Sequence, residues 1–298
     1  MNKNNPLVSV VIVTKNEAKH IYNCLNSIKL QTYPHIEIIV VDNNSTDETK
    51  KISREFSQNV FNIGPERSKQ RNYGIDKAKG KYVMFIDADM ILDPHVIDSS
   101  VEEMEKGKIV ALHIPEIVLG KKYFSRVRRF ERTFYNGTAI DGARFFDRET
   151  FVKVGGFDEK LCGPEDWDID KKIKKIGKIG LLQSDSYYQD WPMEKMIIER
   201  GVNPKKYSAV IYHNEAEFDL KKYLNKKGYY SKSFDDYVKK WGENDPDIKK
   251  QLGFYYRFIG VFTEKNNWQK LLYNPFDTFG MYFLRFLVGV VYLTRKRT

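Results

Sequence analysis

The stretch "YVMFIDADMI" (residues 82–91) decides how the rest of this 298-residue chain is read. Tyr82 to Ile86 make an apolar run fit for a buried strand, and Asp87 and Asp89 follow it one residue apart. An unpaired carboxylate in a core costs several kcal/mol, so a core has no use for them. Either the two acids end the strand in an ordinary turn, where Asp is common, or the strand delivers them to a cation. Two carboxylates on a tight turn present oxygens to a hard cation such as Mg²⁺ or Mn²⁺, which also takes oxygens from a diphosphate.

Working outward, "LVSVVIVT" (residues 7–14) and "IEIIVV" (residues 36–41) are two more continuous apolar strands. Between them, residues 17–30 place Ile21, Leu25 and Ile28 at helical spacing. A short strand near residues 59–63 precedes "GPERSKQRNYGIDKAKG", which predicts a helix stopped by Gly80. Strands buried on both faces and separated by helices predict an α/β fold with a mostly parallel, Rossmann-like sheet and right-handed crossovers. Ligands of such sheets bind beyond the carboxyl ends of the strands. The polar clusters "TKNE", "DNNSTD" and "DAD" each follow a strand, so all three are expected at one edge.

Hydrophobic residues make up 41% of the chain, which argues against disorder, and the net charge is +10. That charge is uneven: residues 219–298 carry 16 Lys and Arg against 8 Asp and Glu, leaving 34 against 32 for residues 1–218. The basic quarter predicts an anionic partner such as a membrane surface or a phosphate-bearing substrate. Two cysteines, Cys24 and Cys162, give no disulfide framework and fit a reduced, cytoplasmic compartment. The first residues hold too short an apolar run for a signal peptide. "FGMYFLRFLVGVVYL" (residues 279–293) falls short of the roughly 18 apolar residues of a membrane span. With "TRKR" after it, it predicts an interfacial helix whose Arg285 snorkels toward headgroups, or else a helix packed on the body.

Four further constellations carry chemistry, each with a structural alternative. Asp42 can accept hydrogen bonds from a nucleobase or ribose, or can close an Asx turn, with Ser45, Thr46 or Asp47 capping the next helix. Arg67, Lys69 and Arg71 in "ERSKQRN" can donate to a diphosphate, or can lie on a solvated helix face. The adjacent acids of "GPEDWD" (residues 163–168) can supply a general base, or can serve the helix start by dipole and capping. His213, in "YHNE", is open between metal or phosphate ligand, core residue and surface residue.

In order along the chain, "VTKNE", "VVDNNSTDET", "RNYGIDKAKGKYVMFIDAD", "GGFDE" and "EDWD" resemble the family 2 glycosyltransferases of the glycosyltransferase-A fold, over about residues 7–185. The resemblance implies inverting transfer of a sugar from a nucleoside-diphosphate donor, assisted by Mg²⁺ or Mn²⁺. Thr14, Glu17 and Asp42 would line the nucleoside pocket, and Arg71 would sit near the diphosphate. Asp87 would face the ribose or metal, and Asp89 would ligate the metal, with His213 downstream approaching it. Asp166 would be the catalytic base, with Glu165 beside it orienting acceptor or base. UDP is the first expectation for the nucleotide, with GDP or TDP as alternatives. Asn43 and Asn44 stand where the family often has a second acid, which leaves the nucleobase open. The tail over residues 212–241 looks like that of members acting on lipid-linked acceptors. With residues 121–132 and the last helix it suggests a basic, aromatic acceptor face on the cytoplasmic side of a membrane.

On this reading residues 1–218 are the catalytic domain, with a donor half to about 115 and an acceptor half from about 116. Residues 219–298 are a basic helical extension. A nucleotidyltransferase is the alternative enzyme, although "VTKNEAKH" lacks the glycines of a nucleotide loop. A silent sugar-nucleotide-binding protein is the non-enzyme alternative. No nucleic-acid-binding module is recognisable, so no nucleic-acid partner is expected.

Overall fold

The computed structural model describes residues 5–185, 190–214 and 218–294. Arg295, Lys296 and Arg297 of the basic terminus, and residues 215–217 of the "YHNEAEF" segment, lie outside them. Ten strands are formed: β1 (Val8–Thr14), β2 (Ile36–Asp42), β3 (Val60–Asn62), β4 (Tyr82–Asp87), β5 (Met90–Leu92), β6 (Ala111–His113), β7 (Glu116–Val118), β8 (Phe145–Asp147), β9 (Ile179–Leu181) and β10 (Ile211–His213). The helices of the sheet-bearing part are α1 (Ile21–Lys29), α2 (Thr49–Phe56), α3 (Arg67–Lys77), α4 (Val96–Glu105), α5 (Tyr123–Arg132), α6 (Arg148–Lys153), α7 (Glu165–Lys174) and α8 (Glu194–Glu199). After these come α9 (Leu220–Ser231), α10 (Phe234–Trp241), α11 (Pro246–Leu252), α12 (Val261–Thr263), α13 (Gln269–Tyr273) and α14 (Pro275–Thr294).

The main sheet among these residues runs β3-β2-β1-β4-β8-β6-β9. The first four strands are parallel, while β8 is antiparallel to β4 and β6. Every residue of β1 is buried, so the sheet is covered on both faces, as the unbroken apolar strands require. Alternate positions serve opposite layers. Val8, Val10 and Ile12 pack with α1 and α4, whereas Val11 joins Val83 and Phe85 against α3 and α7. The order reverses between β1 and β4, which opens a crevice at their carboxyl ends. A smaller sheet, β5-β10-β7, stands just past that crevice and pairs Met90 with His213.

Local details differ from the sequence expectations for identifiable reasons. The first helix starts at Ile21, because residues 17–20 form a turn in which the Glu17 carbonyl accepts from His20 and Ile21. None of the three cap candidates is the N-cap of α2, which is Glu48 and makes no side-chain cap bond; Asp47, one residue earlier, accepts from the backbone N–H of Thr49 at 3.0 Å and of Ala18 at 3.1 Å. Ser45 instead serves Asp42.

The last helix is longer than its apolar run, because Pro275 to Thr278 before it and Thr294 after it extend it to 20 residues. By length and composition it is able to cross a membrane. One side is packed: Gly280, Met281, Leu284 and Arg285 are buried on the body. A Cβ at Gly280 would come within 2.7 Å of Val127, so only glycine lets α14 lie this close to α5. Arg285 does not snorkel. It points inward, donating to Glu131 at 3.0 Å and to the Tyr135 hydroxyl at 2.8 Å. Burying its guanidinium beside a carboxylate satisfies it better than a long reach to solvent. Three of the four arginines of α5 are likewise turned to partners: Arg128 pairs with Glu131, Arg129 donates to the Val118 and Gly120 carbonyls, and Arg132 pairs with Glu116, whereas Arg126 is exposed, 3.5 Å from Asp277.

Candidate active site

Strand register places the first group of residues. Thr14 at the end of β1 is opposite Asp42 at the end of β2, and Val13 is opposite Asp87 at the end of β4. Thr14 is buried, and its hydroxyl has no partner among the described residues. Glu17 is partly exposed and contacts His20 Nδ1 at 2.9 Å. Asp42 is fully buried, and the Ser45 backbone N–H (2.8 Å) and Ser45 hydroxyl both donate to its carboxylate. The Asx-turn alternative is therefore realised at Asp42, which lies beneath the crevice and does not open into it.

The chain turns at Ala88 and Asp89 and enters β5, which brings in β10. His213 Nε2 lies 3.3 Å from Asp89 Oδ2, and the Asn214 N–H donates to the Asp89 carbonyl at 2.7 Å. Asp89 Oδ1 is buried without a hydrogen-bond partner among the described residues. Burial pushes the Asp89 carboxyl up, but His213 outweighs it and holds it below its ordinary range. A carboxylate oxygen without a partner beside an imidazole nitrogen fits a divalent cation. The fit is partial: among the described residues no group of three or more His, Cys, Asp or Glu is gathered for a metal. The other coordination positions would fall to water and phosphate oxygens.

The second group comes from helices. Arg71, on α3, is almost fully buried and spans the crevice floor. Its Nη1 lies 2.9 Å from Asp166 Oδ1 and 3.9 Å from Glu165 Oε1, and its Nη2 lies 3.3 Å from Asp87 Oδ1. The Phe157 ring backs the guanidinium at 5.1 Å. Arg71 thus ties the strand-end carboxylate to the helix-start pair. Burial pushes the Asp87 carboxyl up, yet Arg71, Arg144 and Arg67 outweigh it and hold it well below the carboxylate range.

Glu165 and Asp166 open α7 but face different surroundings. Glu165 is buried, 3.0 Å from Arg67 Nη2, and accepts from the Gly163 N–H. Burial first, and then the Asp166 charge, push its carboxyl up against the two arginines. Asp166 keeps about a third of its side chain exposed, so of the pair it is the one open to a substrate. Gly142 makes room for it: a Cβ there would lie 2.8 Å from the Asp166 Cβ.

Sequence reasoning missed several neighbours. Arg144 and Arg132 clamp the buried Glu116, at 2.7 and 2.6 Å, and Arg144 adds positive charge behind Asp87 and Asp166. A charge leading into the apolar "FF" of β8 was the available signal. Tyr230 of α9 lies over Arg67 at 5.1 Å, a contact no local pattern announces. His113 is buried, 2.7 Å from Asp170. It lines a recess of ≈ 500 Å³ at the β9 edge that holds no member of the expected set.

With this geometry in hand, the chain matches the family model described as "Glycosyl transferase family 2" over residues 9–157, and it belongs to that family. The match stops short of Glu165 and Asp166. Glycosyltransferase AglE of Haloferax volcanii is 42% identical over 99 residues, covering 30% of this chain and 32% of AglE. Chondroitin synthase of Escherichia coli is 22% identical over 234 residues, covering 73% of this chain and 34% of that protein. The chain thus spans about a third of these two curated relatives. Among solved structures, the mannosyltransferase PcManGT of Pyrobaculum calidifontis, in complex with GDP-Man and Mn²⁺, superposes with a TM-score of 0.65 at 18% identity. That likeness covers 99% of this chain and 89% of PcManGT and shows the fold, which is of the glycosyltransferase-A type.

Proposed function

We propose that the chain is an inverting glycosyltransferase that moves a sugar from a nucleoside-diphosphate donor to an acceptor hydroxyl. The observation that carries this reading is the link through Arg71 between Asp87, beside the cation-suited Asp89–His213 pair, and the partly exposed Asp166. Thr14 and Glu17 face the nucleoside side of the crevice in this reading, while Asp42 shapes the turn from below. A fold neighbour solved with GDP-Man and Mn²⁺, and S. aureus TarS solved with UDP-GlcNAc (TM-score 0.51), support a nucleoside diphosphate and a divalent ion. The nucleotide is UDP in the first place, or else GDP or TDP.

Asp89 and His213 would hold Mg²⁺ or Mn²⁺, which supplies charge stabilisation on the departing diphosphate. Asp166 takes the proton of the acceptor hydroxyl as that oxygen attacks the anomeric carbon from the face opposite the diphosphate. One displacement inverts the configuration and needs no covalent enzyme intermediate. Arg71 fixes the Asp166 rotamer by charge-assisted hydrogen bonding, and Glu165 anchors Arg67 and Arg71 in turn. Arg71 accordingly orients the base from below, and its contact with the diphosphate is indirect.

The acceptor belongs on a membrane in this proposal, as a lipid-linked or membrane-proximal saccharide at the cytoplasmic face. Residues 1–218 act as the catalytic unit and residues 219–298 as the membrane-associating extension. The support is the outer face of α14, where Phe276, Phe279, Phe283, Phe286, Val290 and Leu293 recur every three to four residues and are exposed. The opposite side is packed on the body, so the helix is suited to lie in the interface and not to cross.

A thermal-shift panel of UDP, GDP, TDP and CMP with and without Mn²⁺ tests the donor site. A Mn²⁺-dependent rise with one diphosphate is expected, and no rise with any would remove the donor reading. Vesicle flotation of Phe279→Ser/Phe286→Ser tests the membrane reading. Undiminished flotation would place the contact elsewhere.

A further inference from the structure

The C-terminal helices close over a second ionic cluster, rich in cations. Glu131 of α5 is buried and receives Arg128, Arg285 and the Tyr135 hydroxyl. Burial pushes its carboxyl up, but Arg128 and Arg285 hold it well below the ordinary range, so it is charged. Two further cations face the same spot. Arg257 lies over the Tyr135 ring at 5.8 Å, and Lys227 lies over the Tyr223 ring at 5.5 Å, with Arg128 5.1 Å from the centre of that same ring. Arg128, Arg285, Arg257 and Lys227 are thus gathered around Glu131.

Two guanidinium donors of this group have no acceptor among the described residues. Arg285 is 6% exposed and its Nη1 has no hydrogen-bond partner among the described residues, and the same holds for Arg257 Nη1. Burial, and then Arg128 and Arg257, push the Lys227 ammonium down to about 7. A buried excess of positive charge is costly unless an anion offsets it. Guanidinium nitrogens without partners suit the several oxygens of a phosphate.

We infer that Lys227, Arg257 and Arg285 form a binding site for a phosphate or diphosphate group carried by the acceptor. The inference rests on the glycosyltransferase reading for the word acceptor, and on the cluster alone for the phosphate. The placement supports it. Arg285 comes from α14, the helix with the exposed apolar face, and Lys227 lies on α9 one turn before Tyr230, which covers Arg67 of the catalytic group. A Cβ at Gly228 would lie 3.4 Å from Val291, so α9 and α14 meet beside the cluster.

The test titrates inorganic diphosphate into the full chain by calorimetry with a chelator present, so that no divalent ion recruits it to the donor site. Saturable binding is expected, weakened at least tenfold in Lys227→Met and in Arg257→Gln and unchanged in Asp89→Ala. Absence of binding, equal affinity in the two cluster variants, or loss in Asp89→Ala would each overturn the inference. The Mn²⁺-dependent nucleotide shift should persist in Lys227→Met, which separates this site from the donor reading. A cluster that only pins α14 would leave diphosphate affinity untouched in Lys227→Met. Flotation with phosphatidylcholine vesicles, with and without a polyprenyl phosphate, identifies the source. Enhanced partitioning lost in Lys227→Met assigns the phosphate to a lipid, whereas diphosphate binding without enhancement assigns it to a soluble acceptor.

Discussion

Arg71 and Arg285 are both long cations buried in the body, yet they sit in opposite company. Arg71 stands among three carboxylates, Asp87, Glu165 and Asp166, and Arg285 shares the single carboxylate of Glu131 with other cations. The first cluster, in which Arg67 and Arg144 stand beside Arg71, borders the Asp89 carboxylate oxygen that has no partner among the described residues and suits a cation. The second holds guanidinium donors of Arg257 and Arg285 that have no acceptor among those residues and borders an apolar helix suited to lipid. A buried arginine alone therefore says little about function. The polar atoms left over around it say what the region lacks.

The largest expected effect separates chemistry from scaffolding in the first cluster. Asp166→Asn should lower turnover by about 10²–10⁴-fold, the usual loss on removing a general base. Release of nucleoside diphosphate from the donor that the panel identifies would measure this, and the nucleotide-induced thermal shift should remain. Turnover near wild type would take Asp166 out of that role.

Next comes the arginine itself. Arg71→Met takes the hydrogen-bonding cation from Asp87 and Asp166, while Glu165 keeps Arg67, and should cost roughly 3–5 kcal/mol in urea unfolding. Arg285→Met should cost less, about 1–3 kcal/mol, because Glu131 keeps Arg128 and Tyr135. Equal costs would erase the distinction between the clusters.

Asp89→Ala should weaken Mn²⁺-dependent nucleotide binding by about tenfold or more, since even outer partners of metal ligands carry that much. An unchanged Mn²⁺ titration would remove Asp89 as a ligand.

The smallest effect has the most informative sign. Lys227→Met removes a cation facing Arg128, Arg257, Lys226 and Glu131, and should leave the unliganded protein as stable or more so. The folded chain holds the Lys227 ammonium near 7, below its value in an unfolded chain, so between those values the unfolded state binds more protons. The wild type should gain stability relative to Lys227→Met as pH rises from about 7 toward 10, and lose it as pH falls through 7. A flat difference across that window would mean that Lys227 is solvated.

Much of the catalytic half was legible locally. Continuous apolar runs announced β1, β2 and β4, and polar clusters after them announced one edge, because strand burial and strand ends leave marks within ten residues. Asp89 and His213 were each visible as candidates, but their 3.3 Å approach depends on β10 pairing with β5 across more than a hundred residues. Asp42 shows the converse. Its residue type suited a ligand contact, and a three-residue turn with Ser45 claimed it instead.

By itself, the sequence determined the alternating α/β architecture, the family and the set of acids worth testing, since all of these rest on periodicity and short motifs. Only the tertiary structure decided what each charge faces. Arg71 between two sets of carboxylates, Arg285 turned inward and Lys227 beside two arginines arise from helix packing between distant segments. Their ionic energies depend on distance and burial, which no local spacing records.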